Sequence, residues 1–400
     1  MARIIVAKIK FASHLRKMSV RASASYGTRG RWSVKRILAA LVMIAAVMTQ
    51  ASPDDDIKLN QIQLIGTHNS YHAGLPPPIA ALLAAEDPEL ARSLDYSHPS
   101  ITQQLSSGIR QLEFDIYADS KGGRYARPLG PRWALERGLP MASPAYADGV
   151  MEAPGFKVLH MQDVDYVSNC QPFRACLEEV RRWSDSHPGH LPLFLLIETK
   201  APDGTWRWDS VTGEPFTRET LDRLDQTIRS VFPPDRLITP DDVRGGAPTL
   251  DQAVREGRWP TLQRSRGKLV FLLDQKNVSA AYLDGHPALR GRVLFTNAEP
   301  GDPDAGFVER NRGSAEEIAD LVRKGYLVRT RTDWDTVQAR SNDISRRDGA
   351  MASGAQILST DYPPEEPSRW TGYEVAFPEG TVRCNPVLTV EACRFKPPAP

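Results

Sequence analysis

Four apolar runs in this chain each stop on, or carry, residues able to work on a phosphodiester. They read IQLIG-THNSYH (62–72), IRQLEFDIY (109–117), FKVLHMQD (156–163) and LPLFLLIETK (191–200). His68 and Asn69 follow the first run, Glu113 and Asp115 lie within the second, His160 ends the third and Glu198 ends the fourth. Residues two apart on an extended chain point to one side, so Glu113 pairs with Asp115 and Glu198 with Lys200. Asn69, Glu113, Asp115 and Glu198 form an oxygen-only ligand set without a nearby cysteine, which suits Ca²⁺ or Mg²⁺ and disfavours zinc. The competing reading is a polar floor of salt-bridged carboxylates. His68 and His160 suit general acid–base work, because imidazole titrates nearest neutrality.

Lys200, Arg329 and Arg331 are cations that could neutralise a phosphate or bond sugar hydroxyls, and surface pairing of the arginines with Asp333 or Asp335 is the alternative. Asp361, in ILSTDYP, either bonds a substrate hydroxyl or caps the turn before Pro363. His72, His98, His187, His190 and His286 lie in loop-like contexts and are set aside.

Chemistry at the carboxyl ends of apolar strands is the layout of a parallel α/β barrel. Apolar runs without strict alternation occur near 61–66, 109–117, 156–160, 192–198, 268–273, 292–296, 326–330 and 355–359. Strands covered on both faces read this way. Helical patterns alternate with them at 176–186, 217–231, 250–256, 315–324 and 334–352, the last opening after Thr332-Asp333 as a cap. The expected fold is therefore an α/β (β/α)8 TIM-like barrel. Residues 119–155 and 201–215 read as long loops, the first over the barrel mouth, and 366–400 as a Pro-rich tail with a hairpin pinned by Cys384 and Cys393.

The front end is a different kind of sequence. Residues 1–36 carry ten Lys/Arg and no Asp/Glu, followed by the uncharged run ILAALVMIAAVMTQAS. That is the pattern of a secretory leader over residues 1–53, with cleavage near Ala51 and Met18 as an alternative start. A membrane anchor is the rival reading, but Ile37 to Met48 is short against the roughly 20 residues of a spanning helix. Without the leader, 40 basic residues face 49 acidic ones, a net charge of −9. Such a chain has no general attraction to nucleic acid. Residues 54–365 form the expected catalytic domain, and a chain of about 345 residues is normal for a barrel with insertions. Cys170/Cys176 and Cys384/Cys393 are local pairs that read as disulfides of an exported protein, against a four-thiolate zinc site whose spacing they lack.

GTHNSYH, LEFDIY, VLHMQD, LLIETK and the TRTDWDT…GAQILSTDYP ending resemble, in that order, the phosphatidylinositol-specific phospholipase C superfamily, most closely its secreted calcium-dependent bacterial and fungal members. The resemblance spans roughly residues 57–365. It implies a distorted (β/α)8 barrel, His68 and His160 as the catalytic pair, and Asn69, Glu113, Asp115 and Glu198 as Ca²⁺ ligands. Calcium-independent members use a basic group in place of that acidic set. The implied reaction is attack of the inositol 2-hydroxyl on phosphorus, with His160 protonating the diacylglycerol oxygen and His68 stabilising the charged phosphorane. The implied partner is an inositol phospholipid at a membrane surface, met by a monomer. Two rivals are a glycerophosphodiester phosphodiesterase, whose HRG start is absent here, and a silent inositol-lipid-binding barrel.

Overall fold

The computed structural model describes residues 56–140, 149–200, 210–388 and 393. The leader and most of the 201–215 loop lie outside the described residues, as do 141–148, 389–392 and 394–400. The apolar runs form strands β1 Ile62–Thr67, β2 Gln111–Asp119, β3 Gly155–Val158, β4 Leu193–Thr199, β5 Leu269–Leu273, β6 Leu294–Thr296, β7 Phe307–Glu309, β8 Leu327–Arg331, β9 Ile357–Thr360 and β10 Val382–Cys384. Eight of them run parallel in the order β6-β5-β4-β2-β1-β9-β8-β7. One parallel bridge, Asn297 to Phe307, joins the ends of this path and nearly closes the barrel. Helices cover its outside. In Phe173–Ser186 the buried positions Phe173, Cys176, Leu177, Val180 and Trp183 recur at helical spacing and make one apolar face.

The third apolar run is not a barrel strand. β2 is nine residues long, and β3 folds back antiparallel on its outer end, Ile116 opposite Val158 and Asp119 opposite Gly155. An apolar run carries no sign of its direction, which is why the sequence suggests a parallel strand here. The missing barrel strand is β7, three residues too short to show periodicity. The helix expected over 334–352 is also broken, into Val337–Ser341 and Ser345–Ser353. Asp335, Thr336 and Asn342 have positive φ, and Asp333 turns inward instead of capping, accepting from Thr332 Oγ1 at 3.0 Å and the Asp361 amide at 3.1 Å.

Within the parallel path, pairing is thinnest between β1 and β2, which share one register pair, Gly66 with Gln111. A Cβ on Gly66 would lie 2.0 Å from the Gln111 side chain, so only glycine fits that crossing. Along residues 62–64 the same edge of β1 is paired instead by β10, which arrives antiparallel from the tail expected to form its own hairpin. A second apolar cluster, Ile79, Leu82, Leu83, Leu94, Trp133, Ala134, Val164 and Tyr166, ties the segments after β1, β2 and β3 together above the mouth. Gly130 starts the helix Gly130–Glu136 there, where its Cβ would sit 2.4 Å from the Asp163 carbonyl. The structure holds both disulfides, Cys170–Cys176 and Cys384–Cys393.

Candidate active site

At the end of β1 the His68 amide donates to the Thr360 carbonyl at 2.9 Å, and Asn69 takes φ 45°. Ser70 fixes this turn, its amide donating to the Glu113 carbonyl at 3.1 Å and its Oγ accepting from the Glu113 amide at 2.8 Å. Asn69 Nδ2 then donates to Tyr96 Oη at 2.9 Å, while its buried Oδ1 has no partner among the described residues.

Asp115 and Glu198 are register partners on adjacent parallel strands, and Glu113 lies two residues before Asp115 on the same face. One oxygen from each of the three carboxylates lies within 4.8 Å of the others, a grouping able to hold a metal ion. Asp115 Oδ1 is buried and also unpartnered. An oxygen-only set with two orphaned oxygens fits a hard divalent cation. Lys200 lies between two of the carboxylates, its Nζ 2.9 Å from Asp115 Oδ2 and 3.0 Å from Glu198 Oε1. Burial pushes the Glu113 carboxyl up to about 8, against the pull of Arg329 at 2.5 Å. Burial and the charge of Glu198 raise Asp115, whereas Lys200 outweighs the burial of Glu198 and holds it below its usual range.

Each catalytic candidate has a carboxylate partner. His68 Nδ1 donates to Asp361 Oδ1 at 2.8 Å, and its Nε2 lies 3.7 Å from Glu113 Oε1. A carboxylate only accepts, so Nδ1 carries the hydrogen. Burial, then the charges of Arg331 and Arg329, hold His68 well below its ordinary value, so its Nε2 keeps a lone pair at neutral pH. His160 Nδ1 donates to Asp165 Oδ2 at 2.9 Å, leaving Nε2 without a partner among the described residues. Asp165 also accepts from His72 Nε2 at 3.0 Å. Burial alone would raise Asp165, but the two imidazoles outweigh it and hold it below the carboxylate range.

The sequence places these groups individually and misses their partners. Asp361 bonds His68 and receives Arg331 at 3.0 Å, rather than capping a turn. The two arginines are buried: Arg329 bridges Glu113 and Glu309, and Arg331 lies between Asp361 and Asp333. His72, His98 and His190, set aside as loop-like, are buried too. His98 bonds Glu366 at 2.7 Å and the His68 carbonyl at 3.0 Å, buttressing the first catalytic candidate. Asp165 carries a faint local signal, an acidic residue five positions after His160. Nothing local marks His72 or Tyr96.

Residues 57–386 match the family described as phosphoinositide phospholipase C, Ca²⁺-dependent. The chain belongs to that family. It is thus a phosphoric diester hydrolase with Ca²⁺ as its cofactor. Among solved structures it is similar to a calcium-dependent phosphoinositol-specific phospholipase C from a Gram-negative Pseudomonas species, at 16% identity and TM-score 0.51, covering 83% of this chain and 96% of that one. The same Pseudomonas enzyme in complex with myoinositol gives 16% identity and TM-score 0.51, covering 84% of this chain and 100% of that one. At this identity the likeness shows the fold alone. No curated protein matches the sequence. The fold of this phospholipase C is therefore the nearly closed parallel barrel expected from its apolar runs, with one strand exchanged.

Proposed function

We propose that this phospholipase C cleaves phosphatidylinositol by internal attack of the ring 2-hydroxyl, releasing diacylglycerol and a cyclic inositol phosphate. The observation that carries this reading is the meeting of two imidazole–carboxylate pairs, His68–Asp361 and His160–Asp165, with the Glu113, Asp115 and Glu198 cluster. His68 Nε2, left with its lone pair by the Nδ1 hydrogen bond to Asp361, accepts the proton of the attacking hydroxyl, a role this tautomer supports better than the stabilisation of the phosphorane implied by resemblance. As the new O–P bond forms, the bond to the diacylglycerol oxygen breaks and His160 Nε2 delivers a proton to that oxygen. Arg331, held by Asp361, contributes positive charge beside the reacting group and orients it. Asn69, Glu113, Asp115 and Glu198 would hold Ca²⁺, which would supply positive charge to offset the phosphodiester and to ease loss of the hydroxyl proton.

The substrate lies in a bilayer, and the mouth meets it. Leu135, Val211, Val337 and Ile344 are the exposed large hydrophobics among the described residues, and all lie on segments leaving the mouth ends of β2, β4 and β8. No helix of the described residues is long and apolar enough to cross a membrane. A peripheral contact through these side chains supports access to lipid without insertion of a helix. All proposed catalytic groups come from one chain, so a monomer suffices. Export through the basic–apolar leader agrees with the disulfides, which suit an oxidising compartment.

The test is phosphorus NMR of the water-soluble product from phosphatidylinositol vesicles, with Ca²⁺ and with excess chelator. A cyclic phosphodiester seen only with Ca²⁺ supports the reading. Direct release of glycerol 3-phosphate from glycerophosphoinositol, with intact vesicles untouched, would replace it with a glycerophosphodiesterase.

A further inference from the structure

We propose that Lys200 is a tethered cation that competes with Ca²⁺ for the carboxylate cluster, so that its departure sets the Ca²⁺ concentration at which the enzyme becomes active. The inference rests on the reading of Asp115 and Glu198 as Ca²⁺ ligands. Lys200 follows β4 directly, and its amide is anchored to the Ile116 carbonyl at 3.0 Å. Its ammonium reaches back to Asp115 at 2.9 Å and Glu198 at 3.0 Å, the two carboxylates that face each other across β2 and β4.

The ammonium offsets one charge of the cluster without filling it. Asp115 Oδ1 and Asn69 Oδ1 stay unpartnered, both buried, so the oxygens a six- to eight-coordinate ion would use remain unsatisfied. Ca²⁺ therefore gains ligands that Lys200 does not reach, and the two cations cannot share the same carboxylate oxygens.

Lys200 is also able to leave, unlike the other cation beside the cluster. Arg329 is 3% exposed and is pinned by Asn311 at 2.9 Å and Ser359 at 3.1 Å besides its carboxylates. The Lys200 side chain is 18% exposed, and among the described residues its side-chain hydrogen bonds go to the two carboxylates alone. A flexible four-carbon stem can carry the ammonium from the cluster into solvent. Where the competing state holds about nine-tenths of the molecules, apparent affinity for the ion falls about tenfold.

Lys200→Met keeps much of the stem and removes the charge. Calorimetric titration of the purified full chain with Ca²⁺ should give a dissociation constant about tenfold tighter for the variant. Thermal unfolding supplies a readout independent of turnover. In excess chelator the variant should melt below wild type, having lost its internal counter-ion, and saturating Ca²⁺ should raise its midpoint more than it raises that of wild type. Should Lys200→Met not survive chelator, Lys200→Gln purified with Ca²⁺ and titrated against a competing chelator yields the same constant. Equal or weaker Ca²⁺ binding by the variants overturns the competition. A wild type that binds no Ca²⁺ at all overturns the ligand reading beneath it, a distinct failure.

Discussion

Asp165→Asn separates the two imidazole pairs most sharply. Asp165 is fully buried and accepts from His160 Nδ1 at 2.9 Å and His72 Nε2 at 3.0 Å. The asparagine has nearly the same shape but one acceptor oxygen, and its amide group cannot receive a second N–H. One imidazole must lose its partner or turn over, and His160 then no longer holds its ring with Nε2 available to the leaving oxygen. A hydrogen bond to a charged group is worth about 1.5–3 kcal/mol, so losing one of two should lower stability by roughly that amount. The loss of a positioned general acid should lower kcat by ~10² to 10⁴-fold. The stability gap has a pH signature. Asp165 is held below its unfolded value, so its contribution is full above about pH 4 and fades as pH falls toward the folded value. The deciding assay compares phosphatidylinositol with an inositol phosphodiester whose leaving group, such as nitrophenolate, needs no proton. That substrate should rescue Asp165→Asn and His160→Ala far more than His68→Ala. Equal rescue of all three, or none, would refute the assignment of His160 as the acid.

Chelation should abolish turnover, Ca²⁺ should restore it better than Zn²⁺, and Glu198→Gln should raise the Ca²⁺ needed for half-maximal activity; full activity in chelator would remove the metal from the mechanism. His68 is held low by burial and by Arg331 and Arg329, so its basic form persists as pH falls, and kcat/KM should stay level below the ordinary histidine value of about 6.5. A break at or above that value, traced to His68 by its absence in His68→Ala, would contradict the role. Reduction should cost at most about 2–3 kcal/mol per bridge, and Cys170→Ser should lower activity while the fold persists, because its loop follows His160. Cys384→Ser should lower the melting temperature without changing kcat, since Cys384 belongs to the strand on the edge of β1. Val337→Asp with Ile344→Asp should weaken binding to phosphatidylinositol vesicles by at least about tenfold, measured by sedimentation, from the loss of ~1.5 kcal/mol or more of apolar burial per side chain; unchanged sedimentation would move the membrane contact elsewhere.

The residues that end apolar runs were legible without a structure. His68, Asn69, Glu113, Asp115, Glu198 and Lys200 stand where a buried strand gives way to polar side chains, and that transition is a local property of the chain. The period of two also put Glu113 and Asp115 on one face correctly. Their partners were another matter. His68 meets Asp361 across 293 residues and Glu113 meets Arg329 across 216, and Asp115 faces Glu198 through a register that only the assembled sheet defines. The antiparallel return of β3 likewise delivers His160 to Asp165 and His72 from a direction no apolar pattern encodes. Hydrophobic periodicity reports which side chains are buried, whereas strand order, direction and register depend on how distant segments pack. The sequence by itself marked the candidate groups, and the tertiary structure decided which carboxylate stands behind each imidazole and which cation stands among the clustered carboxylates.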